Sequence, residues 1–152
     1  MDYLEVTHVA INVPDLREAE AYYALLFGLE VAWRDSNGAA SMFASWDELD
    51  AARIEPEVVL LWSGAFRLAL AKGEGAATAD ASGLNHVGLH VTPATMRTVR
   101  LHADATVGEG NESTWSFHDR YRVRWEIDTR SYADPREIIR AKARRLDLPE
   151  SG

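Results

Sequence analysis

Two eight-residue segments of this chain are near copies: Thr-His-Val-Ala-Ile-Asn-Val-Pro from Thr7 to Pro14, and Asn-His-Val-Gly-Leu-His-Val-Thr from Asn85 to Thr92. Each alternates β-branched or aliphatic residues with others, as a strand does, and each carries a histidine at its second position. His8 and His86 therefore occupy matching points of two strands. A repeat of this kind constrains the fold strongly, because each copy is one supersecondary unit that needs the other to complete a core. A functional site belongs between the copies.

The rest of the chain repeats the same order. After the first strand, Pro14 stops the extended run and Asp15 stands where an N-cap accepts free helical N–H groups. Leu16, Ala19, Tyr22, Tyr23, Leu26 and Phe27 recur at helical spacing, and Gly28 can take the left-handed cap conformation, which predicts a helix over 16–27. A second strand follows at Leu29 to Arg34. Asp35 to Pro56 is less regular, with Ser45-Trp-Asp-Glu48 reading as a capping box that opens a short helix through Ala52. Strands return at Glu57–Ser63 and Ala65–Ala71, joined through Gly64. The second copy has a strand at His86–Val91, a helix opened by Thr92-Pro93, and strands near Val107, at Ser113–His118 and at Arg122–Asp128. The fold class expected is α+β: two paired βαβββ modules forming a curled mixed sheet, or cup, with helices outside. The chain is expected to be one domain, with module 1 at about 5–71, a linker at 72–84 rich in Gly, Ala and Ser, and module 2 at about 85–130. Asp134-Pro135 opens a C-terminal helix at about 134–146, whose Arg136, Arg140, Lys142, Arg144 and Arg145 read as a solvated basic face.

Composition narrows the function. With 24 acidic against 16 basic side chains the formal charge is −8, which disfavours a nucleic-acid backbone and favours small-molecule partners. There is no cysteine, so a metal would be held by nitrogen and oxygen donors alone. The start of the chain has no basic and apolar leader pattern, and no apolar run is long enough to span a bilayer. A cytoplasmic protein without a membrane span is expected.

Strand alternation sorts the polar residues. His8, Ala10 and Asn12 oppose Val9, Ile11 and Val13; His86, Gly88 and His90 oppose Val87, Leu89 and Val91; Arg124, Glu126 and Asp128 oppose Val123, Trp125 and Ile127. Each strand has one face fit for packing under helices and one polar face that would line a cup. Two neutral imidazoles and one carboxylate on such a surface are a facial ligand set for a divalent metal, with His8, His86 and Glu126 as candidates. They are not a local motif, and hydrogen-bonded surface residues look the same.

The residues resemble the vicinal oxygen chelate superfamily, which includes glyoxalase I, extradiol ring-cleaving dioxygenases, fosfomycin-resistance thiol transferases, methylmalonyl-coenzyme A epimerase and bleomycin-binding proteins. The resemblance runs from Val6 to Thr129: His8-Val-Ala-Ile-Asn-Val-Pro-Asp-Leu, Ala21-Tyr-Tyr and Phe27-Gly-Leu-Glu-Val match the family's first strand, helix and second strand. Near the end, Phe117-His-Asp and Trp125-Glu-Ile keep its nine-residue step from Phe to Glu, while Arg120-Tyr121-Arg122 replaces the usual Pro-Asp-Gly turn.

The resemblance implies that His8, His86 and Glu126 match the family's metal ligands, holding Fe(II), Mn(II), Zn(II) or Ni(II). A fourth ligand position falls on Ala69, which cannot ligate. It further implies chelation of vicinal substrate oxygens for lyase, isomerase, thiol-transfer or ring-cleavage chemistry, and a homodimer in which a partner chain can complete the site. Glu126 and His90 are the catalytic candidates, with Glu109 a further proton carrier. Arg67 and Arg124, at equivalent places two residues before Ala69 and Glu126, can clamp a carboxylate or phosphate or form cup-wall ion pairs. His118 and Trp46 are the other substrate-binding candidates. Trp46 belongs, with Met42 and Phe43, to a stretch that accounts for the longer first module, since His8 to Ala69 is 61 positions and His86 to Glu126 is 40. That stretch is either a lid or an insertion packed outside. The alternative function is a metal-free binding protein, similar to bleomycin-resistance proteins, sequestering a cationic or aromatic compound with Trp46, Trp62, Trp115 or Trp125.

Overall fold

The computed structural model describes residues 6–36, 41–43, 45–74, 85–103 and 108–130. Most of the expected linker, Val107 and the expected C-terminal helix with its basic residues lie outside the described residues. The first module runs β1 (Val9–Val13), α1 (Leu16–Phe27), β2 (Glu30–Ser36), β3 (Ser41–Phe43), α2 (Trp46–Ala52), β4 (Val58–Ser63) and β5 (Phe66–Lys72). The second runs β6 (Val87–His90), α3 (Pro93–His102), β7 (Gly108–Gly110), β8 (Thr114–His118) and β9 (Arg124–Asp128).

The helices stop and start where local chemistry dictates. Asp15 accepts the Glu18 N–H at 2.9 Å, and Gly28 closes α1 with φ +65°. At α2 the Ser45 hydroxyl accepts the Glu48 N–H at 3.2 Å while the Glu48 carboxylate accepts the Ser45 N–H at 3.0 Å, the reciprocal pair of a capping box. Thr92 caps α3, with Pro93 in its first turn.

Apart from β3, the repeat holds at the level of topology. Sheet order is β1-β5-β4-β2-β3 in the first module and β6-β9-β8-β7 in the second. In both, the first strand lies parallel to the last and the remaining pairs are antiparallel. The curled mixed sheet expected is thus present as one unclosed mixed sheet per module. The longer first module is explained by β3, which extends the sheet beyond β2, and by α2.

Both sheets turn their apolar faces to one core. Val13, Val59, Leu61, Leu68 and Leu70 from the first sheet and Phe117, Trp125 and Ile127 from the second join Tyr22, Tyr23, Leu26 and Phe27 of α1 and Met96 and Val99 of α3. Phe27 and Tyr23 meet Trp125 edge-on, at centroid distances of 4.9 and 6.1 Å. Helix α1 therefore packs on the sheet of its own module and on α3, and its Tyr23 and Phe27 reach Trp125 of the other, leaving the opposite face of each sheet directed outward. Among the described residues no helix is long and apolar enough to cross a membrane.

One polar network fastens the modules. Asp119, just past β8, is 5% exposed. One of its oxygens accepts the N–H groups of Tyr121 and Val123 at 2.8 and 3.0 Å. The other accepts the Tyr23 hydroxyl of α1 and the Trp125 indole N–H, the latter at 2.7 Å. Burial raises the Asp119 carboxyl above the ordinary aspartate range, against the opposing pull of these bonds. Arg120 adds an ion pair to Glu18 at 2.7 Å.

Candidate metal-binding faces

Strand register converts the sequence repeat into a residue-by-residue equivalence. Val9 pairs with Leu68 and Ala10 with Ala69, while Val87 pairs with Trp125 and Gly88 with Glu126. Ala69 is therefore the counterpart of Glu126, and Arg67, level with His8, is the counterpart of Arg124, level with His86. On the next strand Leu60 pairs with Ala69 and Ser116 with Glu126, and Trp62 pairs with Arg67 as His118 does with Arg124.

The outer face of the second sheet is polar. His86, Gly88 and His90 share it with Arg124, Glu126 and Asp128 and with Thr114, Ser116 and His118. His86 is exposed and stands one diagonal step from the partly buried Glu126, a separation of roughly 7–8 Å between backbones. Gly88 lies directly beside Glu126, where an added Cβ would meet nothing nearer than 4.0 Å, so that carboxylate has open space on the side toward the histidine strand. Glu109 pairs with Ser116, placing it on the same face two strands from Glu126. His90 is level with Asp128, whose carboxylate accepts hydrogen bonds from Arg130 at 2.7 and 3.0 Å and from Thr114 at 3.2 Å. Burial of Asp128 works against these bonds, which prevail and lower its carboxyl below the usual range. His90 also lines a cavity of about 160 Å³ between the modules, with Phe27, Phe66 and Thr95. Arg124 donates to the Ser116 hydroxyl at 3.3 Å.

The outer face of the first sheet carries His8, Arg67 and Trp62 in one row and Ala10, Ala69, Leu60 and Trp33 in the next. Both histidines are prepared in the same way. His86 Nδ1 lies 2.7 Å from Asn85 Oδ1 and His8 Nδ1 lies 3.1 Å from Thr7 Oγ1. In each case the ring nitrogen turned toward the preceding side chain is Nδ1, which leaves Nε2 as the nitrogen directed away from it, the arrangement in which an outer contact orients a ligating histidine. The donor chemistry fits a divalent cation. Within one chain, however, His8 belongs to one sheet and His86 with Glu126 to the other, and among the described residues no three His, Asp or Glu side chains gather closely enough to hold a metal.

Trp46 lies elsewhere. It packs on α1, donates its indole N–H to Glu20 at 3.1 Å, and has the Arg17 and Arg34 guanidinium groups against its ring at 4.6 and 5.2 Å. Arg34 pairs with Val59, whose side chain is core, so this cluster sits on the helix side of the first sheet, opposite the His8 face. The cavity of about 270 Å³ that Trp46 lines there is edged by charges already paired, Arg17 with Asp50 at 2.8 Å and Lys72 with Glu55. Trp125 is wholly core, and Trp115 packs on the core side over Gly108. Trp62, one of the aromatic candidates of the alternative function, lies on the outer side of the first sheet. It is 41% exposed on the His8 face, and alternation against the core residues Val59 and Leu61 carries that signal.

No protein-family model and no curated protein matches the sequence. Solved structures do. The fosfomycin resistance protein FosX from Mesorhizobium loti aligns over 91% of this chain and 99% of its own, with a TM-score of 0.62 at 14% identity. A mutant FosX from Listeria monocytogenes, complexed with Mn(II) and 1S,2S-dihydroxypropylphosphonic acid, aligns over 86% of this chain and 93% of its own, with a TM-score of 0.58 at 11% identity. A glyoxylase/bleomycin resistance protein/dioxygenase domain from Frankia sp. EAN1pec aligns over 84% and 98%, with a TM-score of 0.53 at 17% identity. Together with the duplicated βαβββ order, these similarities show that the chain has the fold of the vicinal oxygen chelate superfamily.

Proposed function

We propose that the protein is a metal-dependent enzyme acting on a small molecule with two adjacent oxygens, and that His8, His86 and Glu126 hold the cation, one of Fe(II), Mn(II), Zn(II) or Ni(II). The observation that carries this reading is the matched pair of histidines, each at the same register position with Nδ1 engaged, one of them diagonal to Glu126 across an open Gly88. Mn(II) in a FosX of the same fold supports it. Held by these residues, a divalent cation would supply Lewis-acid stabilisation of negative charge developing on a substrate oxygen. His90, two positions from His86 on the same face, can move a proton beside it, and Glu109 is a second carrier. Lyase, isomerase, thiol-transfer and ring-cleavage chemistry all use these parts.

Because the two outer faces of one chain flank a shared core, the reading includes a homodimer in which the first-module face of one copy meets the second-module face of the other. His8 would then be supplied in trans. The test is elemental analysis of protein purified without chelators. Near one metal per chain is expected in wild type, and little in His8→Ala or His86→Ala. Unfolding and refolding the two variants together should restore about a quarter of the wild-type metal, because half of the dimers are mixed and each mixed dimer has one intact site. Full metal in His86→Ala would overturn the triad, and no recovery on mixing would overturn completion in trans.

A further inference from the structure

The two outer faces are copies in which the cations were kept and their acceptors were not. Arg67 and Arg124 hold equivalent positions. Around Arg124 stand Ser116, which accepts its Nε–H, and Glu126, two residues on along the same face. Around Arg67 the same two places are Leu60 and Ala69, neither of which has a side-chain acceptor. Among the described residues Arg17, Arg34, Arg120 and Arg130 each pair with a carboxylate, and no hydrogen bond or ion pair engages Arg67. Yet Arg67 is half-buried, in a chain of net charge −8. A guanidinium held on an apolar wall without an acceptor among the described residues is satisfied by water or by an anion that docks there.

The wall says what accompanies the anion. Trp62 is Arg67's direct cross-strand partner on that face, where it replaces the second module's His118, and it is among the few large apolar side chains that remain exposed. Trp33, Leu60 and Ala69 continue the surface in the adjoining row. Glu30, on the far side of Trp62, places a negative charge at the other end of the row. That charge disfavours a second anionic group on the ligand.

We propose that Trp62 and Arg67 form a subsite for an aromatic monocarboxylate, the ring lying on Trp62 and the carboxylate bridged by the Arg67 guanidinium. It rests on the reading of this face as one wall of the metal site. The subsite itself needs no metal, because neither side chain is a proposed ligand.

The experiment titrates chelator-treated protein with benzoate, benzamide and acetate, following tryptophan fluorescence and ligand-observed NMR. Benzoate should bind saturably and about tenfold or more tighter than benzamide, with acetate weakest. Arg67→Gln should remove the preference for benzoate while leaving benzamide binding unchanged, and Trp62→Ala should weaken both aromatic probes alike. Thermal melts of each variant identify any that fail to fold; in that case Arg67→Lys, which keeps charge but loses the planar fork, should show a reduced preference. Equal affinity for benzoate and benzamide, no binding of either, or a preference that survives Arg67→Gln would overturn the proposal. Metal analysis of the same preparations before chelation separates the two readings. Metal without a benzoate preference removes the subsite alone, and a benzoate preference without metal removes the triad alone.

Discussion

Replacing Asp119 tests the joint between the modules. In Asp119→Ala the Tyr23 hydroxyl and the Trp125 indole N–H lose their acceptor, and both residues are 0% exposed, so water does not replace it. Each buried donor left without a partner costs about 1–3 kcal/mol. The N–H groups of Tyr121 and Val123 are only part-buried and add less. The expected loss is therefore about 4 kcal/mol, a large share of the roughly 5–15 kcal/mol that holds a domain of this kind together. Asp119→Asn keeps the shape and an oxygen for the turn but sets an amide N–H against the Trp125 N–H, for about 1–3 kcal/mol. Burial raises the Asp119 carboxyl in the folded chain, so its contribution is present in full below the unfolded aspartate value near 3.9 and is lost as pH rises through the folded value. Urea unfolding of both variants across pH is the assay. The gap between wild type and Asp119→Asn should narrow from acid toward neutral pH. A loss under about 1 kcal/mol for Asp119→Ala, or a gap that widens with rising pH, would refute the reasoning.

Two further substitutions test the scaffold. Glu20→Ala removes the carboxylate that Arg34, 7% exposed, engages through Nε at 2.8 Å, and should cost about 1.5–3 kcal/mol in chemical unfolding, the worth of a charge-assisted hydrogen bond. Arg53 closes α2 in the left-handed region at φ +55°, so Arg53→Gly should stabilise by about 0.5–1 kcal/mol, read as a higher unfolding midpoint.

What was legible in the sequence was what local chemistry decides. Asp15 and Gly28 bracket α1, and Ser45 with Glu48 starts α2, because caps are made by residues three or four positions apart. The short β3 was not legible, since three residues become a strand only when β2 offers them an edge. Nor was the turn at Arg120-Tyr121-Arg122 fully readable. Arg122 takes φ +64° where the family's pattern has glycine, and what holds it there is the long-range anchoring of Asp119 by Tyr23 and Trp125. The surroundings of Trp46 were not readable for the same reason. Its fate depends on Glu20 and Arg34, which come from other elements of the fold. The site divides along the same line: alternation assigns His8, His86, Glu126 and both arginines to outer faces, whereas the meeting of those faces is a matter of assembly.

The duplicated scaffold makes departures from symmetry informative, because the first, last and next-to-last strands pair in the same register in both copies while their side-chain chemistry differs. His8 with His86 and Arg67 with Arg124 are retained; Glu126 against Ala69, Ser116 against Leu60 and His118 against Trp62 are not. One face thus holds the oxygen donors and the other an apolar wall with a cation, Arg67, that has no acceptor among the described residues, as expected if one binds the reacting end of a substrate and the other its body. Ala69→Glu reverses the asymmetry at one position. The new carboxylate would stand two residues from Arg67 on the same face, between the cross-strand neighbours Ala10 and Leu60, and would offer that guanidinium an internal acceptor. Preference for benzoate over benzamide should then fall severalfold while benzamide affinity changes little. If the preference stays as in wild type, Arg67 does not carry it, and the difference between the two faces is one of packing rather than recognition.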